Sequence, residues 1–204
     1  MNIDAKQVRD LREKTGAGMM DCKRALMEAN GDLEKAIENL RKSGIAKAEK
    51  KGVRQAKDGL VFPYIHPGGR LGVLAEIGCE TDFVAKTEDF QRLCKDIAMQ
   101  IAATNPIAIG RDGIDVSILN HEKDIFLAQA KDTGKPANIL EKIVAGRIEK
   151  FYQENCLLEQ PFIKDPNKKV SDLLTEIVAK LGEKIEVNRF TRYEIGEAVP
   201  ASKN

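Results

Sequence analysis

The side chains best suited to covalent or metal chemistry in this sequence are four cysteines, Cys22, Cys79, Cys94 and Cys156, and two histidines, His66 and His121. A thiolate nucleophile needs a base in reach and a third group to orient that base. Cys79 with His66 is an example of such a pair, and no orienting residue accompanies it. The cysteines form no CxxC pair, so metal-site spacing is absent. The sequence also lacks a phosphate loop and a nucleophile elbow. Scattered thiols in a chain without an export signal fit buried or incidental cysteines in a reducing compartment. No catalytic residue, metal ligand or cofactor is expected, and the chain is not expected to be an enzyme.

Two segments are instead suited to binding. In CETDFVAKTEDF, residues 79–90, the bulky apolar Phe83 stands between Asp82 and Lys86 where a strand hands over to a helix. Such a residue is either an exposed handle at the tip of a turn or is buried under the following helix. In the glycine-flanked run GAGMMD lie Met19 and Met20, whose flexible, polarizable side chains suit a protein-binding surface. They could equally cap a small core, and spacing leaves both options open.

The elements that position these segments follow from periodicity. Asp4 caps a first helix, Gln7 completes a capping box, and Ile3 and Val8 stand at the staple positions. Gly16 and Gly18 interrupt the pattern. A second helix puts Cys22, Ala25, Leu26 and Ala29 on one face, and Asn30-Gly31 ends it. Asp32 caps a third helix, where Leu33, Ala36, Ile37 and Leu40 repeat the spacing. Faces this short must pack on one another, which gives a three-helix bundle like a ubiquitin-associated domain, a docking module over residues 1–52. The basic stretch 42–59 extends the third helix and then serves as a linker; a solvated face is the plainer reading of its lysines.

Residues 53–199 read as an α+β core, with a tail at 200–204. Residues 60–66 and 70–78 have strand composition, and the HPGG between them is a turn. Pro63 places its strand at a sheet edge. Phe90, Leu93, Cys94, Ile97, Ala98 and Ile101 form one helical stripe from about Thr87, stopped at Asn105-Pro106. Two helices near 117–132 and 136–154, joined by DTGKP, form a helical hairpin. Pro161 and Pro166 mark irregular chain. A helix whose stripe is Val170, Leu173, Leu174, Ile177, Val178 and Leu181 closes at Gly182, and a last strand runs about 184–195 with a change of phase between Val187 and Phe190. The expected fold is a small, mostly antiparallel sheet covered by helices.

Composition narrows the partners. Lys+Arg is 33 and Asp+Glu is 32, a net charge of +1, and aromatics are 5% of residues. That balance does not favour direct nucleic-acid binding. No apolar run approaches the roughly 18 residues of a membrane span. The charged, amphipathic start MNIDAKQVRDLREK is unlike a secretory signal. The expectation is a cytoplasmic protein that binds and remodels another protein.

Several segments also resemble a known family. LREKTGAGMMDCKRALMEANGDLEKAIENLRKSG at 11–44 and CETDFVAK at 79–86 are similar to the two signatures of the translation elongation factor Ts family. HPGGRLGVLAEI, GRIEKFYQENCLLEQPF and RFTRYEIGE resemble family core segments. The resemblance implies a nucleotide-exchange factor for elongation factor Tu, bound in its GDP and nucleotide-free forms. It implies that Thr81, Asp82, Phe83 and Val84 insert beside the GTPase's magnesium site and dislodge the ion, with Phe83 as wedge. It further implies docking contacts at Arg12, Met19 and Met20, and at His66 with the turn Gly68, Gly69 and Arg70. Longer members carry two similar core subdomains and a C-terminal helical module, where this chain has a single HPGGRLGVLAEI-to-TDFV segment and ends soon after Ile195. A homodimer pairing two cores is the expected compensation, through a sheet edge or the helical hairpin, with a disulfide at Cys156 conceivable but not required. The rival readings are an adaptor with a ubiquitin-associated-like head, which gives TDFV no role; an RNA-binding translation protein, which the linker lysines favour but the charge balance and the 5% aromatic content do not; and an enzyme, with only the Cys and His residues behind it.

Overall fold

A computed structural model of the chain describes residues 3–52, 54–131 and 136–197. It is α+β, with eight α-helices, a three-stranded sheet and a two-stranded sheet among the described residues. The chain divides into two compact units. The first gathers Met1–Val61, Glu76–Cys94 and Asp172–Asn188, and the second Phe62–Ala75, Lys95–Ser171 and Arg189–Asn204.

The first unit begins with helices α1 (Ala5–Thr15), α2 (Met19–Glu28) and α3 (Leu33–Gly52). Both halves of the capping box are present, the Asp4 carboxylate accepting from Gln7 N and the Gln7 amide oxygen accepting from Asp4 N, and Asp4 also accepts from Lys6 N. Gly16 ends α1 in the left-handed region at φ 66°, donating to the Arg12 carbonyl. Val8, Leu11, Cys22, Ala25, Leu26, Ala29 and Ala36 are buried together, with Ile3, Leu33 and Leu40 packed against them. Ile37, expected on that face, stays partly exposed. The third helix absorbs the first half of the basic stretch.

Strand β1 (Asp58–Ile65) lies at the edge of the sheet in the order β1-β2-β5, as Pro63 requires, since it has no N–H to give a second neighbour. Strand β2 (Leu71–Cys79) is the central one and buries Val73, Ala75 and Ile77 in alternation. It leads into a single-turn helix, α4 (Asp82–Ala85), which periodicity did not reveal, and then α5 (Glu88–Thr104). The full expected stripe of α5 is buried. Asn105 then adopts φ 46° and turns the chain.

In the second unit, α6 (Val116–Lys131) and α7 (Ala137–Asn155) form the expected hairpin. Most of the DTGKP turn between them, like the 200–204 tail, lies outside the described residues. Arg111 pairs with Glu149 and Glu159 and lies 4.4 Å from the Tyr152 ring centre, tying the base of α7. Cys156 is a fully buried free thiol beside Ala108 and Ile114, a position from which it cannot bridge to another chain without local unfolding.

The stretch marked by Pro161 and Pro166 is more ordered than expected. It forms a short antiparallel pair, β3 (Pro161–Phe162) and β4 (Asp165–Lys169). The buried amide of Gln100 holds it, donating to Gln160 Oε1 and the Pro161 carbonyl and accepting from Ile163 N. A buried amide with its groups satisfied fixes register better than apolar packing does.

Helix α8 (Val170–Leu181) ends at Gly182, at φ 79°, and β5 (Ile185–Glu194) follows. Two successive exposed residues, Asn188 and Arg189, separate buried Val187 from Phe190, which is the expected change of phase.

Candidate functional site

Phe83 is 78% exposed, which removes the reading that it lies buried under the following helix. It sits in α4, between two threonine caps. Thr81 Oγ1 accepts from Val84 N at 3.4 Å, and Thr87 Oγ1 accepts from Phe90 N at 3.3 Å while donating to the Val84 carbonyl at 2.8 Å. Asp82 and Lys86 are ion-paired at 2.6 Å across one turn. Each holds the other in its charged form: Lys86 keeps the Asp82 carboxyl below its ordinary range, and Asp82 raises the Lys86 ammonium. The turn therefore carries balanced charge around an apolar ring.

The turn is also held from the far end of the sequence. Glu183 accepts from Glu80 N at 3.1 Å, Thr81 N at 3.0 Å and Thr81 Oγ1 at 2.7 Å. In return Glu80 accepts from Lys184 N at 2.6 Å and pairs with Arg54 at 3.2 Å. The Lys184 amide, then the Arg54 guanidinium, holds the Glu80 carboxyl below the usual range. Sequence reading missed Arg54, Glu80, Glu183 and Lys184, because nothing periodic links residues about a hundred positions apart.

Cys79 is a buried free thiol. Its Sγ donates to the Thr81 carbonyl at 3.1 Å, and burial, with Glu183 next in weight, pushes the thiol up to about 11. The His66 ring is engaged with the Tyr64 hydroxyl at 3.1 Å. Among the described residues no group of three or more His, Cys, Asp or Glu could hold a metal ion, and no helix is long and apolar enough to cross a membrane.

The head residues lie in the same unit as the turn. Met19 and Met20 are 41% and 74% exposed and stand outside the head's buried cluster, so they do not cap its core. Arg12 is exposed on α1. Between them, Gly16 lies over the stem of Lys180, with the Lys180 Cδ 3.4 Å from where a Cβ would stand. Lys180 in turn pairs with Asp89 at 2.7 Å, at the start of α5. The last turn of α8 and the residues just after it thus touch both the head, through Lys180, and the Phe83 turn, through Glu183. His66, Gly68, Gly69 and Arg70 are exposed in the second unit, at the tip of the β1–β2 connection, with Gly68 and Gly69 at φ 95° and 68°.

A family model for elongation factor Ts matches residues 6–197. The chain belongs to the elongation factor Ts family. The elongation factor Ts of Moorella thermoacetica is 60% identical to it over 201 residues, 98% of this chain and 99% of the relative. That of a Thermoanaerobacter species is 58% identical over 202 residues, 99% of each chain. That of Fervidobacterium nodosum is 54% identical over 197 residues, 97% of this chain and all of the relative. As an elongation factor Ts family member the chain is a translation elongation factor by kinship. Phe83, Met19 and Met20 are among its exposed large apolar side chains.

Proposed function

We propose that this chain is a guanine-nucleotide exchange factor for elongation factor Tu, acting by contact and not by covalent catalysis. The observation that carries the reading is the exposed Phe83 ring on a turn braced at both ends. GTPases hold the diphosphate with Mg²⁺, a helix N-terminus and backbone amides. Thr81, Asp82, Phe83 and Val84 wedge beside the magnesium site and shift the groups that hold the ion. Phosphate charge is then poorly neutralised and GDP leaves. Because coupling between two ligands is reciprocal, nucleotide weakens the factor's binding by the same factor. Exchange is accelerated in both directions, and the supply of GDP and GTP sets the net direction. The work would be done in the cytoplasm, with no direct contact to nucleic acid or membrane.

The test is release of labelled GDP from purified elongation factor Tu with and without the chain. A rate that does not rise with added chain would reject exchange and leave the adaptor reading.

In this reading residues 1–52 dock on the nucleotide-binding domain through Arg12, Met19 and Met20, while His66, Gly68, Gly69 and Arg70 touch a different part of the partner. Replacing Met19 and Met20 together by alanine should weaken binding to elongation factor Tu about tenfold, as truncating a modest interface anchor does. Helix content by circular dichroism should not change, because neither residue is in the head's core. Unfolding of the module by the double substitution would count against docking.

We also propose a homodimer that presents two Phe83 turns. The edge strand β1 offers unpaired main-chain groups to a second chain, and the α6–α7 hairpin is the competing element. Light scattering, alone and with elongation factor Tu added, should give a dimer and then a complex with two copies of each protein. Addition of reductant should change nothing, given the buried Cys156. A monomer at all concentrations, active in a one-to-one complex, would sink the dimer while leaving exchange untouched.

A further inference from the structure

We propose that Glu183 is the positioning residue of the Phe83 turn, a carboxylate clasp that fixes the pose in which the ring meets its partner; the proposal rests on the exchange reading above. One oxygen, Oε2, accepts from Glu80 N at 3.1 Å and Thr81 N at 3.0 Å, and the other, Oε1, accepts from the Thr81 hydroxyl at 2.7 Å. A hydroxyl has one proton. Spending it on Glu183 turns the lone pairs of Thr81 Oγ1 toward Val84 N, 3.4 Å away, which is the cap of the turn that carries Phe83. Glu183 thus acts on Phe83 through Thr81.

The clasp closes in both directions. Glu80 returns the bond by accepting from Lys184 N at 2.6 Å, and Lys184 Nζ donates to the Arg54 carbonyl at 2.9 Å. Two pairs of consecutive residues, Glu80–Thr81 and Glu183–Lys184, therefore exchange main-chain amides for each other's carboxylates. Charge-assisted bonds of this kind are stronger than neutral ones, and two from one carboxylate fix direction as well as distance. A wedge needs that fixity: a turn that yields absorbs the displacement that should reach the metal-holding groups of the GTPase, and small misplacements are costly in rate. Gly182, at φ 79°, makes the placement possible by turning the chain sharply after α8, so that the next side chain points back at the 80–81 amides.

The experiment compares Glu183→Ala, Glu183→Gln and Thr81→Val in the full chain. It measures GDP release from elongation factor Tu across factor concentrations, and amide hydrogen exchange and thermal melting of the free chain. Glu183→Ala should lower the maximal release rate about tenfold, the factor that one lost charge-assisted hydrogen bond corresponds to. The half-saturating concentration should move by less than about twofold, because the head contacts are untouched. Amides 80–86 should exchange faster in the free chain while those of α5 keep their protection. Glu183→Gln keeps one acceptor oxygen and should recover part of the rate. Thr81→Val removes the hydroxyl alone, and combined with Glu183→Gln it should cost less than the sum of the two single effects. An unchanged maximal rate in Glu183→Ala overturns the proposal, as does a rate loss that tracks only the loss of folded protein. If the unaltered chain does not accelerate GDP release, the exchange reading falls by itself. Protection of amides 80–86 then still decides the clasp, and unchanged protection in Glu183→Ala would overturn it.

Discussion

Phe83→Ala is expected to slow catalysed GDP release about 100-fold, some 2.7 kcal/mol of lost transition-state contact, while the melting temperature moves by less than about 2 °C. The two halves of that expectation come from the same fact, the 78% exposure of the ring. A phenylalanine in a core costs roughly 3–5 kcal/mol of stability when truncated. An exposed one gives up no internal packing, so its loss stays near the 0.5 kcal/mol typical of surface substitutions. Against a partner, the ring can bury roughly 150–250 Å². At about 25 cal/mol per Å² that is an upper bound of about 4–6 kcal/mol, reduced by the cost of immobilisation and imperfect desolvation. A wedge makes its best contact only while the metal-holding groups are displaced. Its loss should therefore lower the maximal rate more than the affinity. Stopped-flow release of a fluorescent GDP analogue at saturating factor, with calorimetry on the same protein, separates the outcomes. A melting temperature lowered by 8 °C or more with full activity per folded molecule would show that the ring supports the fold and is not the wedge.

How much of this was legible in the sequence depends on the distance over which the signal acts. The capping box of α1 was readable because Asp4 and Gln7 are three residues apart and the partner groups are their own backbone. The stripe of α5 and the edge position of β1 were readable because helical periodicity and the missing N–H of Pro63 are local properties. The α+β class and the helical hairpin followed from the same local signals. The turn itself was visible as an oddity, an aromatic among charges, but its exposure was not, since an apolar residue before a helix is as readily buried. What holds the turn was invisible. Glu183 meets Thr81 across 102 positions, and a single glutamate after a helix C-terminus looks like any solvated charge. The β3–β4 pair was hidden for a similar reason. Two prolines argue against regular strands, and the group that overrides them is the buried amide of Gln100, about sixty residues earlier. Local propensity was right for α1, α5 and β1, where local groups satisfied the backbone. It failed where a distant polar side chain did so.

Gly59→Ala carries the largest expected effect on stability, at least about 3 kcal/mol, or a fall in melting temperature of roughly 6–12 °C. Two independent penalties meet at this position in β1. Its φ of 145° lies in a region that residues with a Cβ rarely adopt. A Cβ built there would also stand 2.2 Å from the Ile77 carbonyl oxygen and 2.8 Å from the Gly78 Cα. Both obstacles are main chain of the neighbouring strand β2, so no side chain can swing aside to make room. The chain must either twist Gly59 away, breaking the bond from its N–H to the Asp58 carboxylate at 2.7 Å, or open the pairing of β1 with β2. Gly31→Ala is the matched control. Its φ of 86° is also left-handed, but nothing lies within 4 Å of the added methyl, so backbone strain alone should cost about 1–2 kcal/mol. Urea unfolding of the two variants measures the difference, and equal midpoints would mean that β1 does not approach β2 this closely in solution. The position also bears on function. Ile77 and Gly78 lead directly into Cys79, Glu80 and Thr81, the residues that start the braced turn. Opening the strands at Gly59 should therefore loosen the turn in molecules that remain folded. Amide exchange at 79–82 should rise more in Gly59→Ala than in Gly31→Ala even at a temperature where both are fully native, because only the first change lies on the strand pair from which the turn is built.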